Sequence, residues 1–231
     1  MDGEKVDMTT EEAQITNSTS VMMTTVAGDE YAIGYISLGS LDESVKALKI
    51  DGAEATAENV KSGDYKVSRP FNIATKKDLD NEVAKDFINY IMSAEGQKVV
   101  EDNGYIAVEG AEAFEGTQPS GKAVVGGSSS VSPVMEKLAE AYKEVNPNAE
   151  IELQTTDSTT GMTSAIDGSY DIGMASRELK EEEIAELDAK VIATDGIAVI
   201  VNNNNAMDEL SSDQVKAIYT GEALTWDEVV E

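Results

Sequence analysis

The stretch Val124-Val125-Gly126-Gly127-Ser128-Ser129-Ser130-Val131-Ser132-Pro133 constrains this chain more than any other. A short apolar strand tightens through two glycines, ends in three hydroxyls and runs into a helix. That helix has Val131, Met135, Leu138, Tyr142 and Val145 on one face at 3.6-residue spacing. Small hydroxyl residues at a strand-to-helix turn stand beside the free backbone N–H groups of the helix start. Together they can hold an oxyanion without a large positive charge. A single turn of this kind also reads as an ordinary N-cap, so the functional reading depends on companions.

Two companions exist. Asp157-Ser158-Thr159-Thr160-Gly161 follows an expected strand over 149–155 and opens a helix through Met162 and Ile166. Ser176-Arg177 follows an expected strand over 170–174. Open α/β sheets place their ligands at such carboxyl ends. Arg177 is one of two arginines, the other being Arg69. An arginine among serines offers a bidentate fork to a tetrahedral oxyanion, or it pairs with Glu178 or the acidic run 180–186.

The rest of the chain alternates in the same way. The hydroxyl cluster Asn17-Ser18-Thr19-Ser20 precedes a short helix over 21–27, closed by Gly28. Strands are expected over 31–36 and over 65–75, the latter edged by Pro70. A helix is expected over 78–92, with Val83, Phe87, Tyr90 and Ile91 on one face, and another from Ser93. Residues 108–120 are poor in apolar side chains and read as a linker or mobile connection. Separate strands over 190–194 and 196–201 and helices over 211–219 and around Trp226 complete the pattern. The expected class is α/β with a mostly parallel sheet.

Composition narrows the chemistry. The chain has 231 residues and contains neither cysteine nor histidine. That excludes thiol catalysis, disulfides, a Ser-His-Asp triad and metal sites built on either residue. A formal charge of −28 argues against nucleic acid and anionic membranes. Any anion site must therefore work by short-range, desolvated hydrogen bonds and helix termini. No apolar run approaches the roughly 20 residues of a membrane span. Met1-Asp2-Gly3-Glu4 shows no signal peptide, so the chain as it stands is expected to be soluble.

These motifs in combination resemble the phosphate-binding proteins that feed ABC phosphate importers. The match runs through 126–133, 157–161, Asp171-Ile172-Gly173-Met174-Ala175-Ser176-Arg177, Asp195 to Asn202 and Ile218-Tyr219-Thr220-Gly221. It also takes in Ala32 to Ile36 and Arg69-Pro70-Phe71. The resemblance implies a two-lobed type II periplasmic-binding-protein fold closing over phosphate, with no cofactor and no catalysis. By the same resemblance, Ser129 and Ser130 are first-turn ligands, Ser158 the second-turn ligand and Arg177 a charged donor. Ser176 stands where many members carry an acidic acceptor for the phosphate proton, which leaves discrimination against sulfate without its usual group. The implied partners are inorganic phosphate and a membrane ABC permease. The implied location is extracellular, periplasmic or lipid-anchored at the cell surface.

Two departures from the family pattern stand out. The segments run in the opposite order, as in a circular permutant whose old termini are joined through 109–120. The family's Gly-Ser-Gly-Thr-Arg loop is also missing from the sequence. The expected lobes are then 67–198, continuous and carrying the serine and arginine site, and 1–66 plus 199–231, discontinuous and short of a strand and helix. An incomplete sheet exposes unpaired backbone and favours a homodimer or a complementing peptide. The leading expectation is a phosphate-binding permutant, engineered or fragmentary, with weakened binding. The alternative is a permuted, self-associating scaffold that binds nothing. A serine-nucleophile transferase is disfavoured, because no histidine exists and no lysine lies near the serine turns in sequence.

Overall fold

The structure is a computed structural model that describes residues 7–229. In chain order its first half contains α1 (Thr19–Gly28), β1 (Ile33–Ser37), β2 (Lys46–Ala47), β3 (Lys49–Ile50) and α2 (Ala57–Ser62). These are followed by β4 (Ser68–Lys76), α3 (Glu82–Ile91), α4 (Ala94–Asp102) and β5 (Ile106–Ala107). The second half begins with β6 (Gly121–Ser128), α5 (Ser132–Val145), β7 (Ala149–Thr156), α6 (Ser158–Asp167) and β8 (Ile172–Ala175). It closes with α7 (Glu181–Glu186), β9 (Leu187–Val201), β10 (Glu209–Leu210), α8 (Ser212–Thr220) and α9 (Trp226–Val229).

Most helix starts are set by capping side chains. Ser18, Ser93, Asp157 and Ser211 each accept from a backbone amide of the first turn. Asn81 accepts from Val83 N and Ala84 N at 3.0 and 3.2 Å, which starts α3 at Glu82 rather than at Asp78. Val131, Met135, Leu138 and Tyr142 are all fully buried, as the 3.6-residue pattern requires.

The sheet is mixed, not mostly parallel. Its strands run in the order β1-β9-β4-β8-β6-β7, with β2 and β5 also on β9. Among the described residues only β6 with β7 and β6 with β8 are parallel in it; β9 is antiparallel to each strand it meets there. The reason lies at Asp195-Gly196. The dipeptide reads as a strand break, yet the structure carries one 15-residue strand straight through it. Asp195 is held extended and buried by Ser37 Oγ at 2.8 Å and Arg69 Nε at 3.1 Å. Consequently β9 pairs with β4 up to Gly196 and with β1 from Ile197 onward.

Buried side chains gather on both sides of that switch. The largest cluster holds Phe71, Phe87, Tyr142, Met135 and Ile172, drawn from 71–193. Two smaller ones collect residues such as Leu48, Tyr65 and Val201, and Val26, Ile36 and Ala198. The 108–120 connection has no helix or strand, but it is tied down. Thr117 N donates to buried Asp86 at 2.8 Å, Gln118 Nε2 to Val145 O at 2.9 Å, and Phe114 packs edge-on against Tyr90 at 5.2 Å. An apolar ring and a buried acceptor thus replace the apolar density that composition alone found lacking.

Candidate anion-binding cleft

The parallel order β7-β6-β8 brings the three hydroxyl turns to one edge, because the carboxyl ends of adjacent parallel strands lie side by side. They open onto a cleft of about 180 Å³, with Ser128, Ser129, Ser130, Asp157, Ser158 and Ser176 on one wall. Thr16, Asn17, Ser18, Thr19, Met22, Tyr35 and Ile36 form the wall opposite, and Arg69 completes the lining.

The hydroxyls form a directed chain. Ser128 Oγ accepts from Ser130 N at 3.3 Å and donates to Ser176 Oγ at 3.0 Å. Ser158 Oγ accepts from Ser176 N at 3.2 Å. Each hydroxyl has one proton to give. The Ser128 proton is therefore consumed within the wall, while those of Ser158 and Ser176 are left for a ligand. The Ser129 amide takes no hydrogen-bond partner among the described residues, and Ser130, just ahead of α5, and Ser158, which opens α6, line the same cleft. Positive helix ends favour an anion there. Asp157 is committed elsewhere: its carboxylate accepts from Thr160 N at 2.9 Å and Thr160 Oγ1 at 2.7 Å, and these bonds hold its pKa below the ordinary aspartate value.

Of the residues singled out from sequence, Ser129, Ser130, Ser158 and Ser176 all line this cleft. Arg177 is not among the residues that line it, and its side chain takes the ion pair with the acidic run 180–186 instead. Both of its terminal nitrogens grip Glu183, at 2.8 Å each, and Nη1 also reaches Glu178 O. Burial alone would raise the Glu183 carboxyl, but the Arg177 fork and the Lys180 amide outweigh it and hold the group below its usual value. The arginine that does line the cleft is Arg69, which the sequence marks as the second of two and as part of the family match but gives no ligand role. Its strand pairing with Asp195 was the missing signal.

The comparisons with known proteins agree with this architecture. The model of a PBP superfamily domain matches residues 3–95 and 112–230. The phosphate-binding protein PstS 2 of Streptococcus agalactiae serotype V is 58% identical over 228 residues, covering 98% of this chain and 78% of that protein. Its namesake in Streptococcus pneumoniae serotype 4 is 46% identical over 231 residues, covering 99% and 79%. A crystal structure of a phosphate ABC transporter phosphate-binding protein from Streptococcus pneumoniae TIGR4 superposes with a TM-score of 0.76. It is 44% identical and covers 99% of this chain and 90% of that one. The chain belongs to the PBP superfamily, in the family of phosphate-binding proteins of ABC transporters, and has the type II periplasmic-binding-protein fold.

Proposed function

We propose that this protein binds inorganic phosphate as the solute-binding component of an ABC importer, working outside the membrane and without catalysis. The observation that carries the reading is the cleft wall in which Ser158 and Ser176 keep a free proton beside the α5 and α6 starts. In the reading, Ser129 and Ser130 add backbone and hydroxyl donors. The relatives' names point to the same ligand. Among the described residues no helix is long and apolar enough to cross a membrane. Delivery to a permease then falls to a cleft that opens and closes between the two walls.

A ligand that binds only the folded state stabilises it by RT ln(1 + [L]/Kd), about 2.7 kcal/mol at a hundred times Kd. For a chain of this size that is roughly 5–10 °C in Tm. Phosphate-stripped protein should show this shift with phosphate, and no shift in any concentration of phosphate would remove the reading.

A second reading, self-association, rests on a different face. Beyond its pairing with β9, β1 has an outer edge without a strand partner among the described residues. Beside it lies a groove of about 400 Å³ lined by Tyr31, Ile33, Ile218, Leu224 and Trp226, in which Tyr31 and Leu224 are 73% and 69% exposed. Open edges of this kind recruit another strand, and a second copy of the chain is the partner we propose. Sedimentation velocity should show a monomer–dimer shift as concentration rises. A monomer throughout the micromolar range would dismiss the dimer.

A further inference from the structure

Arg69 sits where β9 changes partners. Ser68 pairs with Gly196 and Arg69 with Asp195 on one side, and Ser37 pairs with Ile197 on the other. Asp195, with no exposed surface, faces this junction and bonds to both neighbours. Ser37 Oγ of β1 donates to Oδ1 at 2.8 Å, and Arg69 Nε of β4 donates to Oδ2 at 3.1 Å. One carboxylate thereby ties three strands. The Arg69 side chain is 16% exposed and stacks over Phe71 at 5.7 Å. Its two terminal nitrogens take no hydrogen-bond partner among the described residues, and the residue lines the cleft with the serine turns.

We infer that Arg69 is the cationic donor of this cleft and that Asp195 is a positioning residue acting through it. The inference rests on the phosphate reading and adds what the serines cannot supply. In a chain of charge −28 no long-range field draws an anion in, so a cation held inside the cleft adds to the short-range hydrogen bonds of the serine turns. Arg177 has spent its fork on Glu183, whereas Arg69 has spent only Nε. A guanidinium fixed at Nε presents its remaining donors in a set plane, which suits a tetrahedral oxyanion. The seat has a further consequence. Arg69 and Asp195 belong to β4 and β9, while Ser37 ends β1, which carries Tyr35 and Ile36 of the opposite wall. Pull on the guanidinium is thus felt by the strands that join the two walls.

Asp195 is the titratable member of this seat. Burial pushes its carboxyl up to about 6, against the opposing pull of Arg69 and of hydrogen bonds from Ser37 and the Leu38 amide. Arg69 from β4 and Tyr105, just ahead of β5, are the charged and titratable groups that face it; Ser37 and Leu38 are neutral. Below pH 6 the native side chain becomes a neutral acid, close in shape and charge to asparagine.

The test is a calorimetric titration of phosphate into phosphate-stripped native protein and four variants, each shown folded by circular dichroism. At pH 7.5, Arg69→Gln should weaken binding by about 30-fold or more, Arg69→Lys by less, and Arg177→Gln by no more than about threefold. Asp195→Asn should weaken it by about fivefold at pH 7.5 and leave it close to native at pH 5. The ionisation of phosphate itself cancels when native and variant are compared at one pH. The inference is overturned if Arg69→Gln and Arg69→Lys both bind like the native protein, or if Arg177→Gln takes the larger loss. It is also overturned if Asp195→Asn binds more tightly, or if its deficit is the same at both pH values. Absence of binding by the native protein would instead sink the phosphate reading, and this inference with it.

Discussion

Gly127→Val should destabilise the fold severely. Gly127 has φ of +139°, a conformation that side chains rarely adopt, and it pairs with Met174 in the parallel β6–β8 ladder. A Cβ built there would lie 2.3 Å from Met174 O and 2.8 Å from Met174 N. The obstacle is backbone, so no rotamer change relieves it. The two strands must separate, and they are the ones that set Ser128 against Ser176 at 3.0 Å. Steric overlap combined with a forbidden backbone conformation belongs with the rare substitutions costing more than about 4 kcal/mol. In a domain of this size that is a fall in Tm of at least about 8 °C. Differential scanning calorimetry on Gly127→Val, with Gly127→Ala as the milder partner, checks it. A variant melting within a degree or two of the native protein would show that the turn is not built as described.

Ser129→Asp is expected to separate fold from function. The new carboxylate would stand in the cleft near the starts of α5 and α6, where negative charge suits the helix dipole. Stability should be unchanged or slightly raised. The same carboxylate meets any bound phosphate at contact range, and like charges in a desolvated site cost several kcal/mol. Phosphate binding should fall by at least about 100-fold while Tm in the absence of phosphate stays within about 3 °C of native. Equilibrium dialysis with labelled phosphate measures the first quantity and a thermal melt the second. Retention of native affinity would place the anion away from the Ser128–Ser130 turn.

Much of this architecture could be read from the chain. The buried face of α5 followed from spacing alone, and the proximity of Ser129, Ser158 and Ser176 followed from three strand ends in a sheet that places them side by side. What escaped were features decided by long-range pairing. Asp195-Gly196 looks like a turn until Ser37 and Arg69, 158 and 126 positions away in sequence, arrive to hold the carboxylate inside the sheet. Arg177 looks like a ligand because it follows Ser176, yet Glu183 lies one helical start further on with its carboxylate facing the guanidinium. Arg69 looks unremarkable beside Pro70, because its place in the cleft depends on the β4–β9 register. The 108–120 connection looked loose because its anchors, Asp86 and Tyr90, are supplied by α3.

The central claim is that the hydroxyl-lined edge of β6, β7 and β8 is a phosphate site, and one titration addresses it directly. Phosphate is added by calorimetry to phosphate-stripped native protein, with Ser129→Asp run in parallel. A saturable, single-site isotherm is expected for the native protein and none for the variant. A flat trace for the native protein at millimolar phosphate would contradict it, and would leave a binding-protein fold without its ligand.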